Sequence, residues 1–500
     1  MSVIDDPSRP TTAPPEPEPT APEPPTPEPT AARPAVARGR HTGLFRAFWR
    51  WHFYASVIVI PVLLTLAITG LIYLFRFQIE PALNSELMRV QAPAGETVLP
   101  YEMQRYSVSQ AYPDDQIVSM TEPSAADEST RFTLTTADEE TRDVFVDPYT
   151  AKVLGGLNPD TTLSGTAIRI HADLMAGRTG ELIMELGACW ALIMAITGYY
   201  LFFKGRRARK RQRDKGARGA RLRWTHAGIG SFVGVGLLLL IVSGLPWTGV
   251  WGAQVQGLLT KTGQSFWSQD EGALSNPTST LDESLPHSHH VVPWAQEKSP
   301  VPDSDPGAAG TAGSEGAEGG EVSVANVDTA VTVAARTGLE RPLTVAFPRD
   351  ESGVFSVIGY AFNDPAKERT VHIDQYGANV ASTYGYDDYP ALAKVVSQGI
   401  ALHEGRRFGT VNMILTTVFC LAVIAACITG PVMWWRRRPR GTGSLGAPRG
   451  RMPLASSPWL AVGVVALGVF LPVLGVSLAL VLLLDRLVLS RLPATRRFFA

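Results

Sequence analysis

Residues 50–70 read RWHFYASVIVIPVLLTLAITG, an apolar run with His52 at its front and Thr69-Gly70 at its end. An α-helix needs about 20 such residues to cross some 30 Å of hydrocarbon, and here they continue through Phe75. Comparable runs occupy 182–203, 227–251, 411–435 and 458–484. A soluble chain with the same 45% hydrophobic content would spread it in short periodic stretches rather than in blocks. The fold class expected is an all-α membrane bundle, four core transmembrane helices plus a C-terminal hydrophobic segment, with two small α+β domains on the outer face.

Charge orients the spans. The net charge is only -1, yet eleven of the twenty residues from Lys204 to Arg223 are Lys or Arg. Arg38, Arg40, Arg46 and Arg50 precede the first span, and Arg436, Arg437, Arg438 and Arg440 follow the fourth. The positive-inside tendency makes these segments cytoplasmic. The expected protein is therefore multi-pass in a bacterial-type cytoplasmic membrane, with its N-terminus inside. A basic loop held between two spans reads as a topology signal, not as a nucleic-acid site.

The expected plan places helices at 41–80, 166–204, 223–252 and 401–436. Outer domains fall at 81–165 and, within the outer loop 253–400, at about 322–385. Cytoplasmic loops fall at 205–222 and 437–456. The last run, 457–486, would carry Arg486, Arg491, Arg496 and Arg497 outside if it crossed, and a re-entrant hairpin broken at Pro472 is the alternative. Residues 1–40, with their Pro-Glu-Pro and Pro-Thr-Pro units, read as a disordered tail, and Ser299–Glu321 has linker composition. Cys189, Cys420 and Cys427 lie inside apolar runs and form no CxxC pair, which excludes a disulfide framework.

Both outer stretches carry the same pattern. A helix over Tyr101–Ala111 precedes strands at Gln116–Thr121, Thr130–Thr136 and Arg142–Val146, the last continuing through Asp147 to Val153. A helix over Val327–Arg336 precedes strands at Leu343–Phe347, Val354–Ala361 and Arg369–Ile373, followed by Asp374 to Val380. The shared Asp-x-Tyr-x-Ala-x-Val ending marks an internal duplication. It extends into the membrane: His52 to Gly70 and His226 to Gly244 are both 18 residues, and His171 to Gly198 and His403 to Gly430 are both 27. Thr69, Ser243, Thr197 and Thr429 precede the four glycines.

A single histidine at a membrane edge commonly sits among headgroups or bonds a neighbouring helix; four at repeat-equivalent positions point to ligation. Topology puts His52 and His226 at the inner surface and His171 and His403 at the outer. Two facing imidazoles suit the axial positions of a six-coordinate haem iron, whereas a tetrahedral zinc site would lack ligands. Trp49, Trp51 and Trp224 with Arg46, Arg50 and Arg223 are candidate inner partners of such a group, and Arg169, Arg178, Arg406 and Arg407 are outer ones. The bland reading of each is interface anchoring. A straight second helix would lift His171 about 16 Å above Leu182. His287, His289 and His290 form a further cluster able to bind metal.

The segment Arg50-Trp51-His52-Phe53-Tyr54-Ala55, the Thr69-Gly70 ending, the His171 to Thr197-Gly198 and His403 to Thr429-Gly430 spans, and the Asp-x-Tyr endings resemble the PepSY-associated transmembrane family across about 41–440. That resemblance implies PepSY-like outer domains. It also implies, as in the iron-uptake members, two b-type haems held by His52, His226, His171 and His403. The implied activity is reduction of a ferric siderophore or other ferric chelate outside, with electrons from quinol or a cytoplasmic reductase. The alternative is a membrane-anchored PepSY module that binds a peptide or protease without redox activity. Glu185 departs from the family, whose members often carry a basic residue there.

Overall fold

The computed structural model describes residues 36–438 and 458–492, apart from 263–264, 269, 271–272, 274–276, 282–291, 307–324, 360–362 and 490. The main compact unit begins at Gly43; of the unit before it only residues 36–42 are described, and they are helical. The Pro-rich stretch 1–35, most of the loop 437–456, and His287, His289 and His290 lie outside the described residues.

Among the described residues four helices are long and apolar enough to cross a membrane: Gly43–Leu74, Gly177–Asp214, Ala220–Trp247 and Thr410–Arg437. Even a 28-residue helix extends about 42 Å at 1.5 Å per residue. Spacing divides the faces of the first. Ala55, Val59, Leu63 and Ala67, four apart, are buried, while Val57, Ile58 and Ile68 are exposed. Those buried positions join Cys189, Ala191, Val233, Leu237, Phe419 and Val423 from the other spans in one apolar core. All three cysteines are free and buried.

The C-terminal segment is not one helix. Pro458–Phe470 and Pro472–Leu484 are separated at Leu471, and the chain turns back so tightly that a Cβ on Gly475 would lie 2.3 Å from the Gly468 carbonyl oxygen. Proline at 472 removes the N–H that would continue the first helix. The hairpin packs on the short helix Trp251–Thr260 through Trp251 and Phe470, whose rings are 5.6 Å apart, and on the second span through Trp190 Nε1, which donates to Ser477 Oγ at 3.1 Å. A small apolar cavity lined by Trp51, Trp190, Ile193, Val464, Leu467, Leu474 and Leu478 lies between them.

The two α+β units expected from the sequence are not separate. Strands β1 (Gln116–Thr121), β2 (Thr130–Thr135), β3 (Thr141–Val146) and β4 (Val153–Leu157) form one half of an antiparallel sheet. Strands β7 (Leu343–Ala346), β8 (Val354–Gly359), β9 (Arg369–Asp374) and β10 (Val380–Gly385) form the other. The eight run in the order β10-β9-β8-β7-β1-β2-β3-β4. The first strands of the two repeats pair antiparallel, Ser119 opposite Ala346 and Thr121 opposite Thr344. Two exposed edges that would otherwise invite association are thereby removed. The helices Tyr101–Ala111 and Val327–Arg336 form over the residues expected. They cover a core shared by Val108, Met120, Phe132 and Leu134 with Val331, Val345, Val357 and Ile373. Asp328 on the second accepts hydrogen bonds from Tyr101 N and Glu102 N at the start of the first, at 2.8 and 2.9 Å.

The shared Asp-x-Tyr-x-Ala-x-Val ending is a turn between strands in both halves, whereas in the first the sequence pattern predicts a strand continuing through Asp147 to Val153. Asp147 Oδ1 accepts from Tyr149 N and Asp374 Oδ1 from Tyr376 N, both at 2.9 Å, and Ala151 and Ala378 take left-handed conformations with φ of 55° and 56°. An aspartate that bonds the backbone two residues on closes such a turn. Part of the presumed linker is ordered too. Strands β5 (Pro277–Thr280) and β6 (Pro300–Pro302) pair, and Ser299, Val301 and Ser304 are buried.

Candidate functional site

Each of the four histidines meets a hydroxyl on a different span. His52 Nδ1 lies 3.0 Å from Met194 O and 3.3 Å from Thr197 Oγ1; His171 Nδ1 lies 2.8 Å from Thr69 Oγ1. His226 Nδ1 lies 2.9 Å from Thr429 Oγ1, and His403 Nδ1 lies 3.1 Å from Ser243 Oγ. Neighbouring spans run antiparallel, so the start of one lies beside the end of the next. In each repeat the histidine on the first span meets a hydroxyl of the second span, and the histidine in the last turn of the short helix before the second span, Leu163–Asp173 or Ala391–His403, meets a hydroxyl of the first.

The glycine after each hydroxyl packs against the ring. A Cβ on Gly198 would crowd His52 Cε1 at 3.1 Å, whereas one on Gly244 would touch His403 Cε1 at an ordinary 3.4 Å. At Gly70 and Gly430 the nearest ring atom is likewise Cε1, of His171 and His226. Beside His403 the Trp247 ring stands edge-on at 5.9 Å between centroids.

His171 is not on a straight continuation of the bundle helix. Its helix, Leu163–Asp173, stops where Leu174, Met175 and Gly177 take φ of 57°, 55° and 53°. The bundle helix then starts afresh at Gly177. The break turns His171 onto Thr69, and the buried Glu80 holds the helix start by accepting from Ser164 N at 2.7 Å and Ser164 Oγ at 2.6 Å.

Between repeats the histidines fall into two pairs. His52 lies within electrostatic reach of His226, and His171 within reach of His403. One pair sits at the ends of the spans nearer the sheet and the other at the far ends. Among the described residues no third His, Cys, Asp or Glu joins either pair.

The arginines named as partners of a bound group on the sheet side are mostly engaged within the protein. Arg178 pairs with Glu181 at 2.8 Å and donates to Gly249 O; Arg406 pairs with Glu404; Arg407 donates to Gln398 Oε1 and lies 3.3 Å from Asp364. Arg169 is exposed. At the far ends Arg50 stacks over Tyr54 at 5.3 Å, and Arg223 donates to Arg218 O and Gln212 Oε1. Glu185 has a structural task. Its buried carboxylate accepts from Val250 N and Trp251 N at 3.0 and 3.1 Å, capping the helix Trp251–Thr260.

The sequence profile of the PepSY-associated TM region matches residues 49–437, a stretch holding all four spans, all four histidines and both halves of the sheet. The chain belongs to this family. No curated protein matches it. In this PepSY-associated protein the sequence singled out Thr69, Thr197, Ser243 and Thr429 only as markers of repeat spacing. The structure adds that they are the partners of the histidines, and the signal for that was their recurrence immediately before glycine.

Proposed function

We propose that this membrane protein carries electrons between the two ends of its bundle through two b-type haems, one held by His52 and His226 and the other by His171 and His403. The observation that supports this most is the donor set: an imidazole pair in each of two layers of the bundle, with every Nδ1 already bonded to an oxygen of another helix. Two nitrogen ligands fit the two axial positions of haem iron and leave a tetrahedral ion half-ligated. Bound there, haem would supply a one-electron iron couple that needs no open coordination site.

The spans set the distance between the pairs. Along the first, His52 and the Gly70 that abuts His171 are 18 residues apart, about 27 Å of helix rise. Trp190 lies within the intervening apolar core, its ring 6.4 Å from Trp51. By the positive-inside tendency the His52/His226 end faces the cytoplasm and the sheet faces outward. The hairpin suits that orientation, since Asp485 lies within electrostatic reach of Tyr54, near the His52 end, and returns Arg486 to the basic side.

On this reading quinol or a cytoplasmic reductase donates at the inner pair, and a ferric siderophore or other ferric chelate accepts one electron beside the sheet. Iron(III) becomes iron(II), which oxygen ligands hold less tightly, and the metal is released. The test is an absorption spectrum of the purified protein. A dithionite-reduced sample should show the sharp α and β bands of bis-imidazole haem, and addition of a ferric chelate should abolish them. A colourless protein would favour instead a sheet that binds a peptide or protease, with the spans as its anchor.

A further inference from the structure

Four hydroxyls contact four imidazoles at the same ring atom, and the direction of each hydrogen bond follows from where the hydroxyl proton already goes. Thr69 Oγ1 donates to Thr65 O, Thr197 Oγ1 to Ile193 O and Thr429 Oγ1 to Ala425 O, each at 2.8 Å, and Ser243 Oγ donates to Leu240 O at 3.2 Å. A hydroxyl whose proton is committed to its own helix can only accept from a neighbour. The imidazole must therefore donate from Nδ1. At His52 a second contact gives the same answer, because Met194 O can only accept. The nitrogen left without a proton is Nε2, for which the described residues provide no hydrogen-bond partner.

We propose that Thr69, Thr197, Thr429 and Ser243 are positioning residues that set each imidazole in its Nδ1–H tautomer, presenting the Nε2 lone pair to iron. This deepens the haem reading above and rests on it. The opposite tautomer would turn a lone pair on Nδ1 against an oxygen lone pair at all four sites, and its Nε2–H could not ligate a metal. The partner of the second nitrogen fixes ring orientation and raises ligand basicity at metal-bound histidines generally. Here that partner is a back-bonded hydroxyl on a neighbouring helix, followed by a glycine that packs against the ring. The competing account is that the hydroxyls merely pin helix ends together.

Thr429→Val and Thr69→Val separate the accounts, because each keeps the branched shape and removes the one oxygen among the described residues that is bonded to its histidine, His226 or His171. The protein is purified with haem bound, and haem content and midpoint potentials are measured by spectroelectrochemical titration. Each variant should weaken haem binding at its own pair by about 10–100-fold and raise that site's potential, by about 59 mV for each tenfold loss of preference for the ferric form. The other site serves as an internal control and should not move. Thr→Ser at either position should restore the wild-type values. Haem-replete variants with unchanged potentials would overturn this assignment alone, while a wild type that binds no haem would overturn both readings. Loss of both haems from each valine variant would show that the hydroxyls hold the bundle and not the rings, and would also overturn it.

Discussion

The two halves of the sheet have the same turn, the same helix and the same share in the core, yet their second strands are buried differently. In β2 alternate residues are buried, Thr130, Phe132 and Leu134, whereas in β8 all six are. Phe355 and Val357 face the shared core, and Val354 and Ile358 pack on the other face against Leu281, Val292 and Val301. The segment that precedes the second repeat has laid a cover over its half of the sheet. Beneath it His372 contacts Ser356 Oγ at 2.8 Å and Asp270 at 3.9 Å, and burial lowers its pKa to about 4. Duplication thus preserved what holds each half together and left free what each half packs against. A strand covered on both faces reads as a continuous apolar run, and one covered on a single face alternates.

At the histidines the two repeats contribute alike, each supplying one ligand to each proposed site. His226→Ala should abolish haem at the His52/His226 pair and leave the other site loaded; His403→Ala should do the reverse. Quantifying haem per protein would show about half retained in each case. A folded variant that loses both haems would mean that the two repeats do not form separate sites.

A smaller effect tests whether the sheet halves stand or fall together. Met120 is fully buried in the core they share, and Met120→Ala should cost about 2–5 kcal/mol. Because β1 pairs with β7, limited proteolysis should then cut both halves with the same time course. Cleavage confined to 101–157 would show that the second half is stable by itself.

Much of this architecture was legible locally. The four spans announce themselves by length and composition, and the equal 18- and 27-residue offsets tie histidines to glycines without any three-dimensional information. The merger of the sheets was not legible, because pairing Ser119 with Ala346 depends on contact between segments more than 200 residues apart in sequence. The break after His171 carried a faint sign in Gly177, but Leu174 and Met175 take left-handed conformations that no side-chain preference announces. The exchange of hydroxyls between spans was hidden for a related reason. Spacing within a helix shows which residues recur, while the partner of each recurrent residue is fixed only when helices pack.

The smallest effect concerns how each half is fastened to its histidine-bearing helix. In the first half Glu80 grips Ser164; in the second the buried Glu368 accepts from Ser397 Oγ at 3.2 Å, on the helix Ala391–His403, and from Tyr389 Oη at 3.3 Å. Burial pushes the Glu368 carboxyl from 4.5 up to about 7, Arg406 and the two hydroxyl donors oppose the rise, and Glu404 adds to it. A raised carboxyl pKa means that the folded protein holds a proton which the unfolded chain has released, so stability falls as pH rises from about 4.5 to about 7 and is unaffected by this group below that window. Glu368→Gln keeps an acceptor for both hydroxyls and cannot ionise. Its Tm should match that of the wild type near pH 4.5 and exceed it at pH 8, with the difference growing through the window. Parallel Tm curves for the two proteins across that range would show that the junction between the second half and the His403 helix holds its carboxyl no differently from water.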